Sequence, residues 1–209
     1  MRIVKEHDER KNEIIDTASR IFAQKGYDKA SVNDILNAIG IAKGTFYHYF
    51  KSKEDVLDAV IDRATDIVME QVREVIENPQ LSPEEKLLGV FMAMRIEGQM
   101  DEGFLEEMHQ PENALMHQKS LVSIITVLTP VLTQVVKEGV EKGAFHCAYP
   151  EQYMQIFLAS ATTLFDDGIF EVEPEKKEKL FQALIALLEK MLGVEQGSFW
   201  KMAGIYFGE

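Results

Sequence analysis

The stretch Ser31–Lys53, SVNDILNAIGIAKGTFYHYFKSK, constrains the fold more than any other part of the chain. Val32, Ile35, Leu36 and Ile39 recur at helical spacing and predict a short helix with one apolar stripe. Ser31 is a strong N-cap, and Asp34 is a short form of the capping-box partner three residues on. Gly40 follows the last apolar residue, where a left-handed glycine commonly ends a helix. A second helix is expected from about Ala42 to Phe50, with Phe46 and Phe50 facing a core. That leaves Lys43, Thr45, Tyr47 and His48 pointing outward, while Tyr49 can pack either way. Two short amphipathic helices around a glycine occur in many helical proteins. The outward face is what singles this pair out. Exposed aromatics, a threonine and flanking lysines, with no acid between Asp34 and Glu54, suit phosphate and base-edge contacts. The pattern is that of a helix-turn-helix that reads DNA.

The run Ile39–Leu57, containing Lys43-Gly44-Thr45-Phe46-Tyr47-His48-Tyr49-Phe50, resembles the DNA-binding signature of the tetracycline-repressor (TetR) family of bacterial regulators. Ile14-Ile15-Asp16-Thr17-Ala18 and Phe22-Ala23-Gln24-Lys25-Gly26-Tyr27 are similar to that family's first helix, so the resemblance covers roughly residues 8 to 60. It implies an all-α chain. A three-helix DNA-binding domain over residues 1–53 would precede a larger helical domain over 54–209 for effector binding and dimerisation, with the boundary along the fourth helix. It also implies a ligand-responsive regulator, a repressor of a palindromic operator, that binds as a homodimer and is released by a small effector; the ten methionines, many in residues 91–116 and later helices, suit a lipophilic one. The alternative is a helical small-molecule sensor or carrier whose helix-turn-helix does not read DNA.

Carried onto this sequence, the DNA-binding residues expected are Ser31, Lys43, Gly44, Thr45, Tyr47, His48 and Lys53. Lys43 and His48 are assigned to base edges; Thr45, Tyr47 and Lys53 to phosphates. Ser31 serves as cap and phosphate contact together. Gly44 costs about 1 kcal/mol against alanine in a helix, and its missing side chain lets the backbone approach the groove.

Charge at first opposes a DNA partner, because the chain carries a net −13. The distribution removes the conflict. Residues 1–53 hold 10 Lys and Arg against 7 Asp and Glu, and the remainder holds 12 against 28. A mildly basic head on an acidic body is oriented towards a polyanion by that asymmetry. The single cysteine, Cys147, allows no intrachain disulfide and fits a cytoplasmic location. No signal peptide and no apolar run long enough for a membrane span are read from the sequence.

Beyond the head, the first helix is expected from about Asp8 to Lys25, and the fourth from Lys53 to about Glu77. A fifth starts at Ser82-Pro83-Glu84-Glu85, with a cap, a proline at N1 and an acid at N3. Phe104–His109 forms a short helix, and Glu112 to about Lys142 a long helical segment that Pro130 kinks or splits. The last two helices run from Pro150 to about Phe165 and from Pro174 to about Leu192. In the family the matching pair forms the dimer interface, so homodimerisation is expected through helices near 150–169 and 174–192. The effector pocket is placed among Phe91, Met94, Met108, Phe157 and Phe165. Glu97, Glu106, Glu107, Asp166 and Asp167 are candidates to neutralise a lipophilic cation, with an acyl thioester as the alternative ligand class. The aromatic tail 193–209 is expected to dock on the body.

No enzyme, metal or cofactor is expected. There is no phosphate-cradling glycine loop, and Cys147 beside His146 is a lone adjacency. The Glu106–His109 spacing is not completed by His117, His146 or Cys147 in any recognised metal pattern.

Overall fold

Serine followed three residues later by an acid starts three of the helices, and in each the cap is made. The computed structural model describes residues 2–94 and 108–201, with side-chain packing given from residue 7 onwards and, in the fifth helix, as far as Phe91. Among these residues every regular element is helical: α1 Arg2–Lys25, α2 Val32–Ile39, α3 Lys43–Tyr49, α4 Lys53–Ile76, α5 Pro83–Met94, a 3-10 turn at Pro111–Asn113, α6 Ala114–Glu141, α7 Pro150–Leu164 and α8 Pro174–Leu192. Ser31 Oγ accepts the Asp34 N–H at 3.2 Å while Asp34 Oδ2 accepts the Ser31 N–H at 2.7 Å, a closed capping box. Ser82 and Glu85 make the same reciprocal pair at the start of α5. Ser52 Oγ accepts the Asp55 N–H at the start of α4.

The chain divides into two compact units. The first comprises Met1–Asp66 and Glu97–Ser123, the second Ile67–Ile96 and Ile124–Glu209. The division therefore falls inside α4 after Asp66, not after residue 53, and a later stretch joins the first unit. The physical reason is the apolar stripe of α4. Val56, Leu57, Val60 and Ile61 are buried with Ile14, Ile15, Ala18 and Phe22 of α1, Ile35 and Leu36 of α2, and Phe46 and Phe50 of α3. Met116 completes that core from α6, with Met108 and Leu115 against it.

In the second unit Val68, Met69 and Val72 of α4 join Leu87 and Val90 of α5 and Leu128, Leu132, Val135 and Val136 of α6. Met154, Phe157 and Leu158 of α7 and Leu184, Ile185, Leu188 and Leu192 of α8 close it. Glu189 is 1% exposed, and its carboxylate accepts the N–H groups of Gly197 and Phe199 at 2.7 and 3.0 Å. That buried carboxylate is where the tail docks. Phe199 is buried in the core, and Trp200 stands edge-on to Phe181 at 5.7 Å. The remainder of the tail, 202–209, lies outside the described residues.

Three expectations need correction. The first helix begins at Arg2 instead of about Asp8. Of the kink or split expected at Pro130, the split does not occur: α6 runs through it. Pro130 and Thr126, whose carbonyl loses its i→i−4 partner, are both exposed, so water can serve that oxygen. The stretch Pro111–Glu141 is also long and apolar enough, by length and composition alone, to cross a membrane. Met116 and the four α6 residues named above are instead buried in the cores of the two units. Phe104–Glu107, most of the expected short helix, lies outside the described residues.

Candidate nucleic-acid interface

α3 is only seven residues long, and two phenylalanines set its orientation. Phe46 is fully buried and Phe50 is 3% exposed, so the opposite face of the helix is turned to solvent. On that face Lys43, Gly44 and His48 are exposed and Tyr47 is 47% exposed. The Lys43 ammonium sits 5.8 Å from the Tyr47 ring centre, which keeps two candidate contacts side by side. Thr45 and Tyr49 are half-buried. A Cβ built on Gly44 meets nothing within 4 Å, so the backbone of α3 is bare there. Gly40 holds φ +77° and ends α2 with its N–H on the Leu36 carbonyl, a geometry that favours glycine. The Ile41 N–H bonds the same carbonyl at 3.2 Å, so the turn between α2 and α3 closes on Leu36.

Ser31 is exposed at the start of α2, but its hydroxyl is already used. Oγ donates to Asp34 Oδ2 at 2.6 Å and accepts the Asp34 N–H. Asp34 is also paired with Lys25 at 2.8 Å. The Lys25 ammonium and the Ser31 groups together hold the Asp34 carboxyl down at about 2. Lys53 is more committed still. Its ammonium donates to the Tyr27 and Ala30 carbonyls at 2.7 and 3.0 Å and lies 4.0 Å from the Tyr27 ring centre. Burial there pushes the Lys53 pKa down, and burial pushes that of Tyr27 up. Lys53 thus fastens the loop before α2 to the start of α4.

Sequence reading missed the neighbours of α3 on α1. The first turns of α1 bring His7 to 4.6 Å from the Tyr49 ring and 5.6 Å from the His48 ring. An open groove of about 700 Å³ lies there, lined by His7, Glu9, Arg10, Glu13, Thr45, His48 and Tyr49. Arg10 is paired with Glu13 inside it. A signal was present: His7, Lys11, Ile14 and Ala18 continue one helical stripe past its apolar end. Lys11 lies 6.0 Å from the Phe50 ring centre, as that stripe requires.

The five residues expected around an effector are not one group. Phe91 and Phe157 pack ring to ring at 4.9 Å, and Phe165 packs against the same core. Met108 instead packs against the core of the first unit, because it lies just before the turn that meets the loop 26–30. The side chain of Met94 lies outside the described residues, as do Glu97, Glu106 and Glu107. Asp167 is paired with Lys177 at 2.9 Å, and Asp166 Oδ1 accepts the Gly168 N–H. Burial raises the Cys147 thiol pKa, the opposite of what a nucleophile needs.

Comparison with known proteins agrees with this geometry. The family model described as "Bacterial regulatory proteins, tetR family" matches residues 14–60. A second, "Tetracyclin repressor-like, C-terminal domain", matches residues 99–189. The HTH-type transcriptional repressor KstR2 of Mycolicibacterium smegmatis is 36% identical over 84 residues, 40% of this chain and 40% of that protein. The fatty acid metabolism regulator protein of Bacillus subtilis is 25% identical over 132 residues, 63% of this chain and 68% of that protein. The match to the first of these relatives thus spans less than half of its length. The crystal structure of a TetR-family transcriptional regulator from Pectobacterium atrosepticum shares the fold, with a TM-score of 0.60 over 91% of this chain and 96% of that one, at 17% identity. The proteins named in these comparisons are regulators, not enzymes. With one model on the helix-turn-helix and another on the C-terminal helices, the chain belongs to the TetR family of bacterial regulatory proteins.

Proposed function

We propose that this protein is a ligand-responsive, DNA-binding transcriptional repressor that binds a palindromic operator as a homodimer in the cytoplasm. The observation that carries the reading is α3: Phe46 and Phe50 are anchored inside, while Lys43, Tyr47 and His48 and the bare backbone at Gly44 face out. An α-helix so presented fits the major groove, with lysine and histidine towards base edges and tyrosine and threonine towards phosphates. Lys53 and Ser31, whose polar groups are already engaged, act by holding α2 and α4 in place. Homodimerisation through α7 and α8 is supported by the large apolar residues these helices leave exposed. Ile156 is 50%, Phe181 44% and Leu187 42% exposed. Two-fold symmetry would set two α3 helices about 34–36 Å apart, or a multiple, matching successive major grooves.

The effector is assigned to the second unit and to a lipophilic class. The apolar core in which Phe157 is buried, with Phe91 and Phe165 packed against it, supports that, and so does the likeness to a protein named for fatty acid metabolism. Release requires the ligand to favour a spacing of the two heads that fits DNA poorly. α4 and α6 each run from one unit into the other and are the continuous elements that can transmit such a change. The test is substitution on α3. Lys43→Ala and Tyr47→Ala should each weaken operator binding about tenfold, the worth of one good side-chain contact, in a protein that keeps its helicity and melting temperature. Unchanged affinity in both variants would remove the assignment of α3 as the reader.

A further inference from the structure

The C-terminal family match begins at residue 99, yet residues 111–119 are built into the core of the first unit. They hold the helix-turn-helix at both ends. At one end is the loop 26–30 that leads into α2. The Tyr27 N–H donates to Asn113 Oδ1 at 2.6 Å, and the Asp28 N–H donates to the Glu112 carbonyl at 2.9 Å. Asn113 is 1% exposed, so the Tyr27 amide has no ready substitute in water if that oxygen is removed. Lys29 pairs with Glu112 at 2.6 Å on the rim. Gly26, at φ +82°, marks how close the approach is: a Cβ there would lie 2.6 Å from Glu112 Cβ. At the other end is the start of α4, the helix that follows α3. Lys119 reaches Glu54 at 2.8 Å and Asp58 at 2.7 Å, and the two acids raise its pKa.

We propose that Asn113 and Lys119 are positioning residues for α3: they fix the loop before α2 and the helix after α3, and so set the angle at which α3 meets DNA without touching it. The inference rests on the DNA-reading function proposed above. It also deepens that reading, because the stretch that positions α3 continues through α6 into the second unit.

The test uses the full-length protein and the operator it selects from random duplexes. Affinity is measured for that operator and for an unrelated duplex of equal length, in wild type, Asn113→Ala and Lys119→Met, alongside amide exchange of Tyr27. Positioning predicts faster exchange at Tyr27 in Asn113→Ala, and a ratio of specific to non-specific affinity lowered about tenfold, as expected for an orphaned buried donor. Non-specific affinity should hold, because the phosphate-facing charges are untouched. Lys119→Met keeps the aliphatic stem and should lower the same ratio by a smaller factor. A purely structural role would instead lower both affinities together, in proportion to the unfolded fraction. That result, or a ratio unchanged in both variants, overturns the proposal. If Asn113→Ala fails to fold, Lys119→Met decides by the same ratio. A wild-type protein that selects no sequence overturns the DNA-reading function itself and this inference with it, an outcome distinct from selective failure of the variants.

Discussion

Gly44 is a residue at which stability and function should part. Alanine there meets no neighbour and gains helix propensity, so Gly44→Ala should raise stability by up to about 1 kcal/mol. The same methyl group would stand between the α3 backbone and a DNA groove, so operator affinity should fall. A denaturation curve and a binding curve on one variant check both, and affinity that is retained would mean the bare backbone is not used. Asp34 offers a pH test. Its carboxyl titrates near 2 in the folded protein, below its ordinary value of 3.8, so its contribution is complete above about 4 and is lost as pH falls from there to about 2. Acid should therefore fray the start of α2, and Asp34→Asn should abolish that part of the pH dependence, read as amide exchange at residue 34. The capping partners, the glycine turn and the outward face of α3 were all legible in the sequence, because each is a local rule over three or four residues. What Lys53 does with its ammonium was not. Its partners depend on which carbonyls the fold brings near, and those lie 23 and 26 residues away.

At the scale of elements, helical periodicity located the starts of α2 to α5, α7 and α8 to within a residue or so, since each except α3, which follows the Gly40 turn with Ala42 at its N-cap, carries a cap or a proline at its first turn. It misjudged α1, whose first turns have no apolar stripe of their own and pack on α3 through His7. It also allowed a split at Pro130, which does not occur. Proline in a helix interior costs a hydrogen bond wherever it lies, but on the wet face water takes the freed carbonyl. Pro130→Ala should then leave α6 intact and stabilise the protein by roughly 1–3 kcal/mol, measured by denaturation. Destabilisation would mean that the proline shapes α6 for packing. Periodicity also could not show that α6 starts in one core and ends in another. Its apolar residues form one pattern in sequence, while Met116 is buried with α1 to α4 and Leu128 to Val136 with α5, α7 and α8.

The scale of the whole molecule is where the charge asymmetry, the exposed faces of α7 and α8 and the reading helix combine into one mechanism. Phe181, which lies half-exposed between Phe165 and Trp200, is the residue to disturb for assembly. Phe181→Lys should shift the protein towards monomer in sedimentation and weaken operator binding with it; an intact dimer would place the interface elsewhere. The most direct test of the central claim is selection of bound duplexes from a random pool, followed by affinity of the selected sequence across a salt series. A two-fold symmetric winner is expected, with log affinity falling linearly against log salt as phosphate-bound counterions are released. The contradicting result is an intact dimer that enriches no sequence, both alone and with lipophilic ligands added, which would leave α3 without a role in reading DNA.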